Sequence, residues 1–173
     1  MKRKIDLWEY APTILKQTEK GVLVTTKSGD EVNTMTIGWG TLGNQWHKPI
    51  YTIFVRQSRH TKKLLDENGE FTVNVPLDDS AKKILGVCGT ASGRDLNKIE
   101  HLGLTLEDPE IVSVPGIKEL PLTLECKVIY KQDQVLSAIN DENRLHYYEP
   151  GTKNEQDFHT AYYGQVLSAY IIE

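Results

Sequence analysis

From Leu122 to Tyr130 the chain alternates in character. Leu122, Leu124, Cys126, Val128 and Tyr130 share one side, while Thr123, Glu125 and Lys127 share the other. A period of two marks a strand with one face on a core. Comparable runs recur along the chain. Val22–Thr26 and Val32–Ile37 flank a Lys27–Glu31 turn and read as a hairpin. Ile50–Val55 is apolar throughout, as in a strand covered on both faces. Phe71, Val73 and Val75 alternate with Thr72 and Asn74, and Ala161–Ile172 is apolar apart from Gln165 and Ser168. These strands follow one another more often than they alternate with helices. That order predicts a mainly β fold, an antiparallel barrel decorated with short helices, and not a parallel doubly wound sheet.

The helical signals are short. Tyr10–Gly21 carries Pro12 at a first-turn position and Gly21 at the exit. Thr61–Asn68 ends at Gly69, Asp79–Leu85 is a third short helix, and Ile139–Tyr148 is a fourth candidate. A chain of 173 residues holds one domain, taken as residues 1–173, without internal repeats or linkers. There is no room for separate cofactor and substrate domains. Lys plus Arg total 20 against 24 for Asp plus Glu. That balance argues against a nucleic-acid binder, yet it leaves room for one local basic pocket. No run of 18 apolar residues predicts a membrane span, and the basic start Met1–Lys4 lacks an apolar stretch behind it. With two cysteines, Cys88 and Cys126, the chain reads as a cytoplasmic protein with reduced thiols.

Gly38-Trp39-Gly40-Thr41-Leu42-Gly43 matches the dinucleotide pattern G-x-G-x-x-G. That pattern works only when a helix follows, because the pyrophosphate sits on the helix N-terminus. Here Asn44–Pro49 follows, so the glycines are read as a sharply turning loop. The five histidines, at 47, 60, 101, 146 and 159, show no metal-ligand spacing, and no metal is expected.

Three segments can carry chemistry. Arg56-Gln57-Ser58-Arg59-His60-Thr61 sets guanidinium groups and hydroxyls at a helix N-terminus, a combination suited to phosphate. Alternatively, Ser58 or Thr61 caps the helix and the arginines are solvated. Asn33-Thr34-Met35-Thr36-Ile37-Gly38-Trp39 can offer backbone amides, hydroxyls and flat or soft side chains to a heteroaromatic ring, or it is a barrel strand with a Thr-rich outer face. Cys88-Gly89-Thr90-Ala91-Ser92-Gly93-Arg94 reads as a small-residue loop able to approach a ligand closely, with Cys88 a candidate thiol and Cys126 inert core. His159 stands just before the last strand, as a structural residue or a site residue.

Taken in order, Asn33–Thr36, Gly38-Trp39-Gly40, Pro49, Val55–Thr61, Glu70–Pro76, Cys88-Gly89, Ser92–Asp95 and His159 before Tyr163-Gly164 resemble the flavin reductase-like, FMN-binding split-barrel family, in its flavoredoxin-like branch. The resemblance runs from about Ala11 to Ile172. It implies a split β-barrel and a homodimer with FMN near the interface. It implies that Asn33, Thr34, Met35, Thr36, Gly38 and Trp39 run beside the isoalloxazine. Arg56, Ser58, Arg59 and Thr61 would hold the phosphate and ribityl chain, and Cys88, Gly89, Ser92, Gly93 and Arg94 would belong to a loop over the flavin. His159 would lie near a nicotinamide, although Asp157-Phe158-His159 replaces the family's usual Gly-Asp-His. The implied activity passes electrons from NAD(P)H through FMN to free flavin or to another small-molecule or protein acceptor. The alternatives are an electron carrier that holds FMN without a nicotinamide site, and a barrel without flavin.

Overall fold

The computed structural model describes residues 1–151, 155 and 157–173. The chain opens with β1 (Lys2–Lys4) and α1 (Leu7–Lys20). The Asp6 carboxylate accepts from the backbone N–H groups of Trp8 and Glu9 at 2.8 and 3.2 Å, and so satisfies two of the free donors at the helix start. This cap moves the start ahead of Tyr10 and puts Pro12 inside the helix instead of in its first turn. The predicted hairpin is formed by β2 (Val22–Ser28) and β3 (Glu31–Ile37). A second hairpin, β4 (Gly40–Gln45) with β5 (Lys48–Arg56), replaces the loop expected over residues 38–49. Its turn is Trp46-His47, both left-handed at φ 55° and 56°. Two such residues are the pattern of a type I′ turn, which sequences usually announce with Asn-Gly.

Next come α2 (His60–Asn68) and β6 (Glu70–Val75), then a 3₁₀ turn (Asp79–Ala81) that runs into α3 (Lys82–Thr90). The sequence ends that helix at Leu85, but it continues through Cys88 and Gly89, which are therefore helical and not part of a loop. Then follow α4 (Lys98–Leu102), the two-residue strands β7 (Leu106–Glu107) and β8 (Gly116–Ile117), β9 (Leu122–Asp133), α5 (Asp141–Tyr147) and β10 (His159–Ile172).

All pairings are antiparallel, and the main sheet has the order β3-β2-β6-β9-β10-β5-β4. β10 pairs with β9 along one edge. On the other edge its first half pairs with β5 and its last three ladder residues pair with β1. Register shifts at Tyr163/Gly164 and Val166/Ser168 bend β10, as bulges do. The ends of the sheet, β3 and β4, are consecutive in the chain and joined by Gly38-Trp39. The barrel is therefore split at that seam. Ile14, Val24, Ile53, Phe71, Val73, Leu124 and Tyr162 pack inside it. A smaller cluster around Leu23, Ala81, Cys88, Ile117 and Leu120 lies under α3 and α4.

The polar side of β9 is not solvent-facing. Glu125 is fully buried and accepts from the backbone N–H groups of Glu110, Ile111 and Val112 and from the Tyr170 hydroxyl. Glu70 accepts from the N–H and hydroxyl of Ser113. Carboxylates on the barrel thus hold down the strap of residues 104–120.

Gly164 lies where β10 bends over Phe71. A Cβ there would stand 2.3 Å from Phe71 Cζ and 3.0 Å from Cys126 Cβ. Neither neighbour can withdraw from the packed interior. Gly164→Ala is expected to lower the unfolding free energy by about 1–3 kcal/mol in urea titrations, whereas Gly43→Ala, with open space around it, should change it far less.

Candidate functional site

Two cavities lie side by side at the barrel seam. One, about 200 Å³, is bordered by Met35, Thr36, Ile37, Gly38, Trp39, Phe54, Arg56, Arg59 and His159. The other, about 350 Å³, is bordered by Asn33, Ser58, Arg59, His60, Thr61, Ala91, Ser92, Gly93, Arg94, Asp95 and Lys98. Arg59 borders both, so the two adjoin along one groove of the seam, and together they fall in the range of about 300–1,000 Å³ typical of small-molecule sites. Most of the residues singled out in the sequence border this groove. Thr34, Cys88 and Gly89 do not. Thr34 points across the hairpin, bonding Thr25 at 3.0 Å. Cys88 is buried, and burial raises its thiol pKa, against an opposing pull from Lys98. That is the reverse of what a reactive thiol needs.

The wider cavity has the chemistry of an anion site. The N-terminus of α2 has no side-chain cap, so neither Ser58 nor Thr61 plays the capping role considered above. Its first N–H groups and its dipole are available to a ligand. Thr61 is buried and accepts from Asn33 Nδ2 at 2.8 Å, which ties β3 to α2. Gly93 presses on the same Asn33; a Cβ at Gly93 would stand 2.2 Å from its Oδ1. Arg94 donates to the Ser58 carbonyl at 2.8 Å and closes the loop over the cavity. Buried Lys98 adds a cation, donating to the Ala91 carbonyl at 3.2 Å. Burial lowers its pKa, as does the nearby charge of Arg59. His60 Nε2 lies 2.5 Å from Glu31, while its Nδ1 is sealed from water with no partner among the described residues.

The narrower cavity has Trp39, Phe54 and His159 among its walls. Trp39 stacks at a tilt on His159, with centroids 4.9 Å apart, and meets Tyr147 edge-on at 5.0 Å. Asp157, which sequence reading took only as part of a weak motif match, organises this end. It accepts from both the N–H and the hydroxyl of Ser58 at 2.8 Å, and its Oδ2 lies 3.8 Å from Arg56. Arg56 is thus turned toward Asp157 and the Tyr147 carbonyl, 3.5 Å away, which leaves Arg59 as the arginine shared by both cavities. Phe54, a wall of the narrower cavity, carries no signal in the sequence, and neither do Tyr148 and Gln134, which stand behind His159 and line neither cavity. Among the described residues, no three His, Cys, Asp or Glu side chains converge as metal ligands.

The family model described as flavin reductase like domain matches residues 18–173. The chain belongs to this family. It is 37% identical over 100 residues to an uncharacterized protein of Archaeoglobus fulgidus, covering 58% of this chain and 55% of that one. It is 31% identical over 111 residues to an uncharacterized protein of Pyrococcus abyssi, covering 64% and 62%. The matched region thus spans less than two thirds of either relative. Among solved structures, flavoredoxin from Methanosarcina acetivorans superposes with a TM-score of 0.68 at 25% identity, covering 88% of this chain and 68% of that one. The fold also matches an NADH:FAD oxidoreductase of Streptomyces globisporus, with a TM-score of 0.63 at 20% identity over 88% of this chain and 75% of that one. These likenesses establish the split-barrel fold of this family member, and the seam carries its groove.

Burial depresses the His159 pKa to about 4. Arg56 and Arg59 act in the same direction, and Asp157 opposes them. An unfolded histidine titrates near 6.5. Between those values the unfolded chain binds the extra proton, so stability is highest above about pH 6.5 and falls toward pH 4. Screening through the open side of the groove brings this contribution to about 1–2 kcal/mol. Thermal unfolding of His159→Gln is expected to lose less stability than wild type between pH 6.5 and 4. Equal slopes would place the titration elsewhere.

Proposed function

We propose that the groove holds FMN and that the chain is a flavoprotein oxidoreductase whose electron donor is NAD(P)H. The observation that carries this is the adjacency of the two cavities at Arg59: a space walled by Trp39, Phe54 and His159 lies beside an uncapped helix N-terminus ringed by Ser58, Ser92, Arg94 and Lys98. A ring joined by a short chain to a phosphate has that shape and charge. FMN, when bound, would supply the redox chemistry that no side chain here supplies. The residues present fit it, since the first N–H groups of α2 have no side-chain cap and can donate to an anion. The chain's own residues bind and orient. Arg59 and the α2 N-terminus fix the phosphate, Met35 and Thr36 border the ring space, and Trp39 with His159 walls its open side.

A second reading, an electron carrier with FMN and no nicotinamide site, is favoured by the packing of Trp39, Tyr147 and His159 on one another where a donor would enter. Reducing the FMN-loaded protein without air separates the two. The enzyme reading expects NADH or NADPH to bleach the yellow colour at catalytic rates, and no bleaching with either supports the carrier.

Arg59→Ala should weaken FMN binding by about ten- to a hundredfold in a fluorescence titration, the worth of one charge-assisted hydrogen bond. It should leave the melting temperature of the unliganded protein nearly unchanged. Unaltered affinity would remove Arg59 from the site.

We also infer a homodimer in a reducing cytoplasm, with Cys88 and Cys126 as free thiols. Trp39, which borders the groove, and Tyr147, which meets that ring edge-on, expose apolar surface, as do Val135 and Leu145 in the segment between β9 and β10, and a second copy would cover it. Sedimentation of wild type should give twice the mass of the chain, and Leu145→Lys should shift it toward the monomer.

A further inference from the structure

The hydrogen bonds behind His159 determine where its proton sits. The backbone N–H of His159 donates to Gln134 Oε1 at 3.0 Å. An N–H can only donate, so the Gln134 atom at that position is its oxygen. The Tyr148 hydroxyl lies 2.6 Å from the same oxygen, and the single proton available for that contact is the tyrosine's own. Tyr148 has then given away its only proton, yet its oxygen also lies 2.7 Å from His159 Nδ1. That contact needs a proton too, and Nδ1 must supply it. His159 therefore carries a hydrogen on Nδ1, and in the neutral ring that burial favours its Nε2 has a bare lone pair. Nε2 has no partner among the described residues and is not among the polar atoms sealed from water, and the ring borders the narrower cavity.

We propose that Gln134 and Tyr148 are positioning residues that lock His159 as a hydrogen-bond acceptor, so that the cavity takes a planar ligand presenting an N–H donor, such as a carboxamide, and rejects the corresponding carboxylate. This deepens the functional reading above and rests on it for the identity of the ligand. A carboxamide N–H would meet the Nε2 lone pair directly. A carboxylate oxygen would set lone pair against lone pair, and His159 offers no proton there to bridge them. The depressed basicity of His159 keeps it in the neutral form at neutral pH. The chain Gln134–Tyr148–His159 thus passes no proton to the ligand; it fixes which ring nitrogen is bare.

The test uses FMN-loaded, 15N-labelled protein at pH 7. Long-range proton–nitrogen spectra should show His159 Nδ1 protonated and Nε2 bare. Nicotinamide should shift Nε2 and bind about tenfold more tightly than nicotinate. Tyr148→Phe should mix the two tautomers and bring the ratio near parity while FMN affinity stays unchanged. Gln134→Glu, which keeps an acceptor oxygen, should preserve the wild-type pattern. A proton on Nε2 in wild type, or nicotinate bound as tightly as nicotinamide, overturns the proposal. A protein that takes up no FMN overturns the functional reading instead, and the spectrum of the unliganded protein then decides the tautomer by itself.

Discussion

One strand's hydrogen bonds set the shape of everything else. β10 is paired along β9 on one edge and shared between β5 and β1 on the other, so the central ladder depends on it. Its two register shifts bend it, and the bend lets an otherwise open sheet curl around the Phe71 and Tyr162 core. A straight β10 would leave β5 and β4 too far from β2 and β3 for the groove to exist. The start of the same strand carries His159, so the element that closes the core also delivers the aromatic wall of the site.

The seam follows from that curvature. The two end strands of the sheet, β3 and β4, do not pair, and the backbone crosses between them at Gly38-Trp39. Unpaired edges are usually a hazard that a protein must cover. Here the gap is filled by polar machinery, with α2 presenting its N-terminus and Asp157 tying Arg56 and Ser58 into the far wall. Asp157 neutralises Arg56, and Arg59 keeps its charge for the groove.

Much of this was legible in the sequence because it rests on short-range patterning. The alternation of Leu122–Tyr130 and Phe71–Val75 announced the strands, and the crowding of Arg56, Ser58, Arg59 and Thr61 pointed to residues that border the groove. What stayed hidden depends on tertiary context. The β4–β5 hairpin turns on Trp46-His47, a pair that carries no turn signal, so a strand was read as a loop. Cys88 and Gly89 look like loop residues by composition, yet α3 continues through them because its inner face packs against the second core. Glu125 sits on the polar side of an alternating strand, but the strap covers it. Gln134 and Tyr148 are ordinary residues made specific only by the atoms they meet.

The strap of residues 104–120 borrows its order from the barrel. Apart from a two-residue ribbon it has no ladder of its own; the N–H groups of Glu110, Ile111, Val112 and Ser113 end on the barrel carboxylates Glu125 and Glu70, while Thr105 N–H stays within the strap, reaching Glu119 at 3.0 Å. Its outer stretch, residues 108–111, can lift off without unfolding the sheet beneath it, while Val114, Ile117 and Leu120 stay anchored in the core. In amide exchange that stretch should form its own opening unit, less protected than β9 and β10, and its exposed Ile111 marks where a protease would first cut a folded molecule.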